Sequence, residues 1–388
     1  MDFSLSDEQQ MIVKTTRDFV ENELYPHEAE VESTGVLRDE LLEELKAKAI
    51  DAGLYAANMP AEVGGAGLDT VSWVLYEKEL GRANYALHWS CVGRPSNILM
   101  ACNPEQRERY LLPSVRGERS DCLAMTEPGA GSDIRSMKTT AVQRGDDFII
   151  NGTKHFISHA DRADYVILFA ASGEETIKQG TKKKLITAFL VDKGHPGFVV
   201  RQGYKNVSHR GYTNSILDFN DCRVPKSAVL GEVHRGFDVM NTWLGATRLQ
   251  VAATCLGRAD RALDLATRWS AERVQFGQPI GKFQGVGFKL ANMATELTAA
   301  ELMVLQAAWR HDRGISTDSD MAMAKLKATE MLAMVSDEAL QIHGGMGLMS
   351  DLPLERIWRD ARIERIWDGT SEVQRHIISR ALLRPLGA

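Results

Sequence analysis

The sequence predicts a mixed α+β chain in three zones: a helical N-terminal domain over 1–120, a central antiparallel β domain over 121–231, and a C-terminal four-helix bundle over 232–388. Three observations carry this. Capping and loop signals bracket helices before residue 118. Short apolar runs around an Asn-Gly pair then follow, and a heptad-spaced apolar stripe marks the last third.

Ser6 opens the first helix as an N-cap, with Gln9 at the third helical position completing a capping box. MPAEVGGAGLD (59–69) carries one proline and four glycines and reads as a loop. Asn103-Pro104 starts another short helix. In DFIINGTKHFIS (147–158), Asn151-Gly152 between two apolar runs predicts a hairpin. ADYVILFAAS (163–172), KLITAFLVD (184–192), GFVV (197–200) and SILDFNDCRVP (215–225) supply further strands. In the last zone Val286, Leu290, Met293, Leu297, Ala300, Val304 and Ala307 form the stripe. Met240, Trp243, Val251, Cys255, Ala262, Ala266 and Trp269 share one face of the helix before it, and a third helix is expected from Ser319 to Ile342.

The chain has 388 residues, 44% hydrophobic and 25% charged, enough for two or three domains. A formal charge of −6 excludes an extended nucleic-acid surface but not a phosphorylated small ligand. Five cysteines, none in a CxxC pair, point to a reduced intracellular protein without a zinc site. No signal-peptide or transit-peptide pattern is present, and no run of about 18 apolar residues occurs, so the expectation is a cytoplasmic protein without a membrane span.

Three stretches can carry chemistry. LAMTEPGAGSD (123–133) combines Thr126 with a Pro/Gly loop whose backbone N–H groups and Ser132 hydroxyl can receive phosphate or ring oxygens; a plain interdomain turn would look similar. ERVQFGQPIGKFQ (272–284) offers Arg273 for an anion and Phe276 for stacking, or is a helix–helix turn with an exposed arginine. In the segment 339–375, Gly344, Gly345 and Gly347 permit close backbone approach, and Thr370 and Glu372 open a final helix. Asp368, between Trp367 and Gly369 in apolar surroundings, can be a base with a raised pKa or an ordinary turn aspartate. His343 is one of ten histidines, lacks a partner at metal-ligand spacing and reads as a packing residue beside the glycine turn.

TEPGAGSD (126–133), ERVQFGQPIGKFQ (272–284), QIHGGMG (341–347) and GTSEVQR (369–375), in this order, resemble the acyl-CoA dehydrogenase family over essentially the whole chain. The resemblance implies FAD between the β domain and the bundle, in a homotetramer whose neighbouring subunit completes the site. Leu123, Met125, Thr126, Gly131 and Ser132 would line the flavin and its pyrophosphate; Phe156, Ile157 and Ser158 would cover the ring. Arg273, Phe276, Gln284, Gln341, Gly344 and Gly345 would meet the adenine half, and Thr370 and Glu372 would hold the cofactor at the last helix. Ser132 and Arg248 would hold the CoA end of an acyl-CoA substrate, with Tyr85, Trp89 and Trp367 beside its acyl group. Family chemistry implies α-proton abstraction by a carboxylate and β-hydride transfer to flavin, with an electron-transfer flavoprotein as the usual acceptor.

The usual base in such proteins is a glutamate where this chain has Asp368; some members carry it instead where this chain has Thr247, before Arg248. Asp368 is the carboxylate at either position. Three readings follow: an acyl-CoA dehydrogenase with a reshaped pocket, a nitroalkane-oxidase-like flavoprotein that also uses aspartate, or a non-catalytic flavin-binding assembly protein. The loop KNVSHRGYTN (205–214) departs from the family pattern, and its His209 and Tyr212 are expected to alter how CoA is held. Tyr85, His88, Trp89 and Arg94 suggest a polar, charged or cyclic acyl group, or else side chains facing solvent or another subunit.

Overall fold

The computed structural model describes residues 3–176 and 182–387. Its N-terminal zone contains α1 (Asp7–Phe19), α2 (Glu28–Thr34), α3 (Asp39–Asp51), α4 (Thr70–Leu80), α5 (Tyr85–Cys91), α6 (Pro104–Gln106) and α7 (Leu112–Val115). Ser6 caps α1 through the expected capping box with Gln9, and Asn103 makes a second one with Gln106 at α6. Residues 59–69 form the expected connection between helices, with one tight turn at Ala61–Val63.

The middle zone is a sheet of β1 (Asp121–Ala124), β2 (Thr140–Arg144), β3 (Asp147–Ser158), β4 (Tyr165–Thr176), β5 (Lys182–Asp192), β6 (Phe198–Gln202), β7 (Asn214–Pro225) and β8 (Val229–Leu230). Strand order is β6-β7-β3-β2-β4-β5-β8, with β1 also pairing β4. Two expectations fail here. The sheet is mixed, because β1 and β2 each run parallel to β4. Asn151-Gly152 is not a hairpin but a bulge inside β3, which pairs β7 on both sides of the irregularity. The turn falls instead at Gly145, where φ is +63°. A Cβ on Gly152 would lie 2.5 Å from Thr139 Oγ1, so close approach of Thr139 demands the glycine. Local turn propensity lost to tertiary packing.

β4 is buried on both faces, as its unbroken YVILFA run suggests. Tyr165, Ile167 and Phe169 pack toward Met240 and the N-terminal helices, while Val166, Leu168 and Ala170 join the sheet's other core.

The last zone holds α8 (Gly236–Glu272), the two-residue strands β9 (Val274–Gln275) and β10 (Gln278–Pro279), α9 (Gln284–Asp312), α10 (Asp318–His343), α11 (Leu354–Glu364) and α12 (Ser371–Leu383). The predicted stripe of α9 is the bundle seam: Met293, Leu297, Ala300, Val304 and Ala307 are buried against Val251, Cys255, Ala262 and Ala266 of α8. Met240 and Trp243 leave that face and pack on the sheet side. The first two turns of α8 therefore serve another core. Glycine lets α4 and α8 meet backbone to backbone, since a Cβ on Gly257 would lie 1.8 Å from the Lys78 carbonyl oxygen.

Candidate active site

The loop after β1 is held from below by a buried ion pair. Lys154 on β3 is fully buried and donates to Glu127 at 2.8 Å and to the Met125 carbonyl at 3.0 Å. Glu127 also accepts from the backbone N–H groups of Lys138 at 2.5 Å and Thr139 at 3.0 Å. Burial pulls Lys154 down to about 8 against the pull of Glu127, whereas its partners leave Glu127 below the ordinary glutamate value despite burial. With its base clamped, the loop exposes Gly129, Gly131 and Ser132, and a Cβ on either glycine would meet nothing. Beside it Phe156 is 55% exposed with φ +57°, its ring 5.2 Å from that of Tyr204. Ile157 is buried and Leu123, Thr126 and Ser158 half-buried.

Asp368 follows α11 and sits two residues before the Thr370 cap of α12. Its φ of +51° is left-handed, a conformation that costs a non-glycine residue about 1–2 kcal/mol. Lys325 of α10, 1% exposed, holds it there: its ammonium donates to the carbonyls on both sides of Asp368, those of Trp367 and of Gly369, the latter at 2.6 Å. Gln374 donates to the same Gly369 carbonyl at 2.8 Å. Exclusion of water raises Asp368 to about 6; Lys325 and a hydrogen bond from Thr247 oppose this, and Glu364 adds to it. Burial lowers the Lys325 ammonium, with Asp368 and Glu364 resisting.

A second buried pair lies behind Asp368. Arg258 of α8 meets Glu364 at 2.5 Å, and Glu364 accepts from the Trp367 indole at 2.7 Å. Despite its burial, Arg258, His209 and Trp367 hold Glu364 down to about 2. The two carboxylates are thereby separated in role. Glu364 is locked as an anion in structure, while Asp368 is poised to change protonation near neutrality.

The site residues read from the sequence fall into two groups. Leu123, Met125, Thr126, Gly131, Ser132, Phe156, Ile157 and Ser158 edge the β domain, and Trp367, Asp368, Thr370 and the exposed Glu372 lie beside the Lys325 end of α10. Thr247, at the alternative base position, hydrogen-bonds Asp368, and its neighbour Arg248 reaches Asp318 at 3.4 Å. Gln341, Gly344 and Gly345 lie exposed at the opposite end of α10. Lys325 and His343 are 18 residues apart on that helix, roughly 27 Å. Arg273 belongs with this far group: its guanidinium lies over Trp269, which stacks on His343 at 5.0 Å. His343 is the packing residue expected, its Nδ1 2.8 Å from the Ala339 carbonyl. Phe276 and Gly277, both with positive φ, close the β9–β10 hairpin and leave Phe276 95% exposed, with Gln284 exposed nearby in sequence.

Tyr85 and His88 face inward rather than toward solvent, 7% and 0% exposed, and the Arg94 side chain is buried on Glu77 at 2.5 Å. His209 is fully buried, 3.5 Å from Glu364, and its ring and that of Tyr212 pack on Tyr85. Sequence reading missed Lys154, Glu127, Lys325, Arg258 and Glu364. The available signal was a lone charge at an inward strand position (Lys154) and on an alanine-rich helix face (Lys325). Among the described residues no cluster of His, Cys, Asp or Glu could hold a metal, and no helix is long and apolar enough to cross a membrane.

Comparison with known proteins matches three family models in sequence order: the acyl-CoA dehydrogenase N-terminal domain at residues 6–118, the middle domain at 122–222 and the C-terminal domain at 234–383. The chain is similar to the 3-(aryl)acrylate reductase of Clostridium sporogenes, 39% identical over 98% of this chain and 99% of the relative. It is 36% identical to the caffeyl-CoA reductase-Etf complex subunit CarC of Acetobacterium woodii, over 98% of this chain and 99% of that one. The solved butyryl-CoA dehydrogenase of Megasphaera elsdenii superposes with a TM-score of 0.89 at 34% identity, covering 99% of this chain and 100% of the other.

Proposed function

The chain belongs to the acyl-CoA dehydrogenase family, and from that premise we propose that it is an FAD enzyme that removes the α-proton of an acyl-CoA thioester with Asp368. The observation that carries this reading is the setting of Asp368: half-buried, raised to about 6, and oriented by a buried lysine on both of its flanking carbonyls.

The chain's residues fit FAD. Space stands open at Gly129, Gly131, Gly344 and Gly345, Phe156 offers an exposed ring, and the Thr370-capped end of α12 supplies N–H groups for an anion. The β-domain edge and the α12 terminus would hold the flavin and pyrophosphate. Gln341, Gly344 and Gly345 lie at the far end of α10 with Arg273 packed beside it through Trp269, and Phe276 and Gln284 follow Arg273 closely in sequence, so these six would meet the adenine half bound to a neighbouring copy in a homotetramer. Bound FAD supplies the two-electron acceptor for the β-hydride.

The protein's part is proton handling. Thioester α-protons are weakly acidic, so a base near neutrality is useful and donors at the carbonyl oxygen stabilise the enolate as it forms. Asp368 is ionised above pH about 6 and accepts the proton in a water-poor setting that favours its neutral form. Ser132 and Arg248 would hold the CoA end. An electron-transfer flavoprotein is the proposed redox partner and the cytoplasm the proposed location; the similarity to an Etf-complex subunit supports the former. Anaerobic titration of the FAD-loaded protein with acyl-CoAs and nitroalkanes tests this. Bleaching of the flavin by a thioester is expected. Bleaching by nitroalkanes alone would replace this reading with the oxidase one, and failure to bind FAD would end both.

A further inference from the structure

Trp367, the neighbour of Asp368, is tied at each of its polar atoms. Its backbone N–H donates to the Ile363 carbonyl at 3.1 Å, its carbonyl accepts from the buried Lys325 ammonium, and its indole N–H donates to Glu364 Oε2 at 2.7 Å. The ring also packs against His209 at 4.9 Å and Tyr85 at 5.1 Å. Asp368 follows directly with its left-handed φ, so whatever fixes Trp367 fixes where that turn begins.

The two oxygens of Glu364 divide their work. Oε1 meets Arg258 at 2.5 Å and lies 3.5 Å from His209 Nε2, while Oε2 takes the indole. The carboxylate is confined from the far side, because the Arg258 and Glu364 side chains are 3% and 0% exposed. His209 is confined in turn, its backbone N–H donating to Asp360 at 2.6 Å. Asp360 and Glu364 stand one turn apart on α11, so one helix face anchors both the His209 loop and the Trp367 turn. Stability alone does not call for such a pair, since well-packed apolar side chains of similar volume commonly serve as well. What apolar side chains could not do is present an oxygen to the indole.

We infer that Glu364 is a positioning residue for Asp368: it fixes the rotamer of Trp367 through the indole hydrogen bond, and the turn then presents the Asp368 carboxylate in one orientation. Arg258 keeps Glu364 in place for that task. This deepens the acyl-CoA reading above and rests on it. Two double variants, both without charge at the pair, differ in the acceptor. Arg258→Met, Glu364→Gln keeps an oxygen for the indole, and Arg258→Met, Glu364→Met does not. The probe is anaerobic flavin reduction by the acyl-CoA that bleaches the wild type fastest in the titration above. The glutamine variant should exceed the methionine variant by at least about tenfold in limiting rate, with the half-saturating concentration little changed, since a misplacement of about 1 Å can cost about a hundredfold. Trp367→Phe, which removes the donor, should lower the limiting rate by a similar factor with the pair intact and add nothing to the methionine variant. In crystal structures the indole should keep its place in the glutamine variant and rotate in the methionine one. Equal limiting rates in the two double variants, losses that add with Trp367→Phe, or an unmoved indole in the methionine variant would overturn the inference and leave the dehydrogenase reading intact. Should a double variant not fold, an unaltered limiting rate in Trp367→Phe alone overturns it as well. A flavin that no thioester reduces would instead remove the reading beneath, and the position of the indole in the two crystal structures would still decide whether Glu364 fixes Trp367.

Discussion

Asp368 and Lys325 make one unit in which strain, burial and charge are set against each other. The carboxyl is raised from 3.8 to about 6, so its ionised form destabilises the fold. The sign follows directly. Its protonated form is favoured in the folded state, and that advantage is complete below pH 3.8 and lost as pH rises to about 6, on the order of 2–3 kcal/mol at neutrality. Asp368→Asn should therefore raise the melting temperature at pH 7.5, with the gap closing below about pH 4. The same variant should lose about 10³-fold in flavin reduction while retaining FAD. In the wild type, kcat/KM should fall with decreasing pH below about 6, and a profile flat to pH 4.5 would count against Asp368 as base. Lys325→Met leaves two buried carbonyls without their donor and frees the left-handed turn. A fall of about a hundredfold in kcat with KM little changed is expected, together with a displaced pH profile; a mere loss of stability would not move that profile. Asp368 was legible in the sequence by position. Lys325, 43 residues away in sequence, was not, because nothing local says that a lysine among alanines points inward.

Elements show where local pattern suffices and where it does not. Capping boxes at Ser6 and Asn103 and the α9 seam were readable because a helix's ends and faces are decided within a few residues. The Asn151-Gly152 reading failed because Thr139 and β7, distant in sequence, decide what β3 does there. The stripe on α8 divides for a similar reason: one helix serves two cores. The loop over 125–133 depends on the Lys154–Glu127 pair in the same way. Lys154→Met strands a buried glutamate, with an expected loss of about 3–5 kcal/mol in denaturant unfolding and weakened FAD retention. Adding Glu127→Leu should recover part of the stability without restoring the retention, since the loop remains unanchored.

On the scale of the whole molecule, the site residues divide between the two ends of α10, so cofactor binding is expected to depend on assembly. Phe276 is 95% exposed on a hairpin tip, and Phe276→Ser removes an edge-on contact with the Phe283 ring at 6.1 Å but no buried core residue. The variant should retain FAD at least about tenfold less well than the wild type by flavin fluorescence, with lower mass by light scattering; full flavin retention by a monomer would refute the assembled site. The sequence by itself determined the three-zone architecture and the family, because these rest on periodicity and on contiguous motifs such as TEPGAGSD and GTSEVQR. Only the tertiary structure decided what surrounds Asp368. Lys325, Glu364, Arg258, Tyr85 and His209 come from α10, α11, α8, α5 and the loop before β7, and their burial and pairing exist only once those elements pack together. Charge state and pocket shape are properties of such convergence, and no single stretch of sequence carries them.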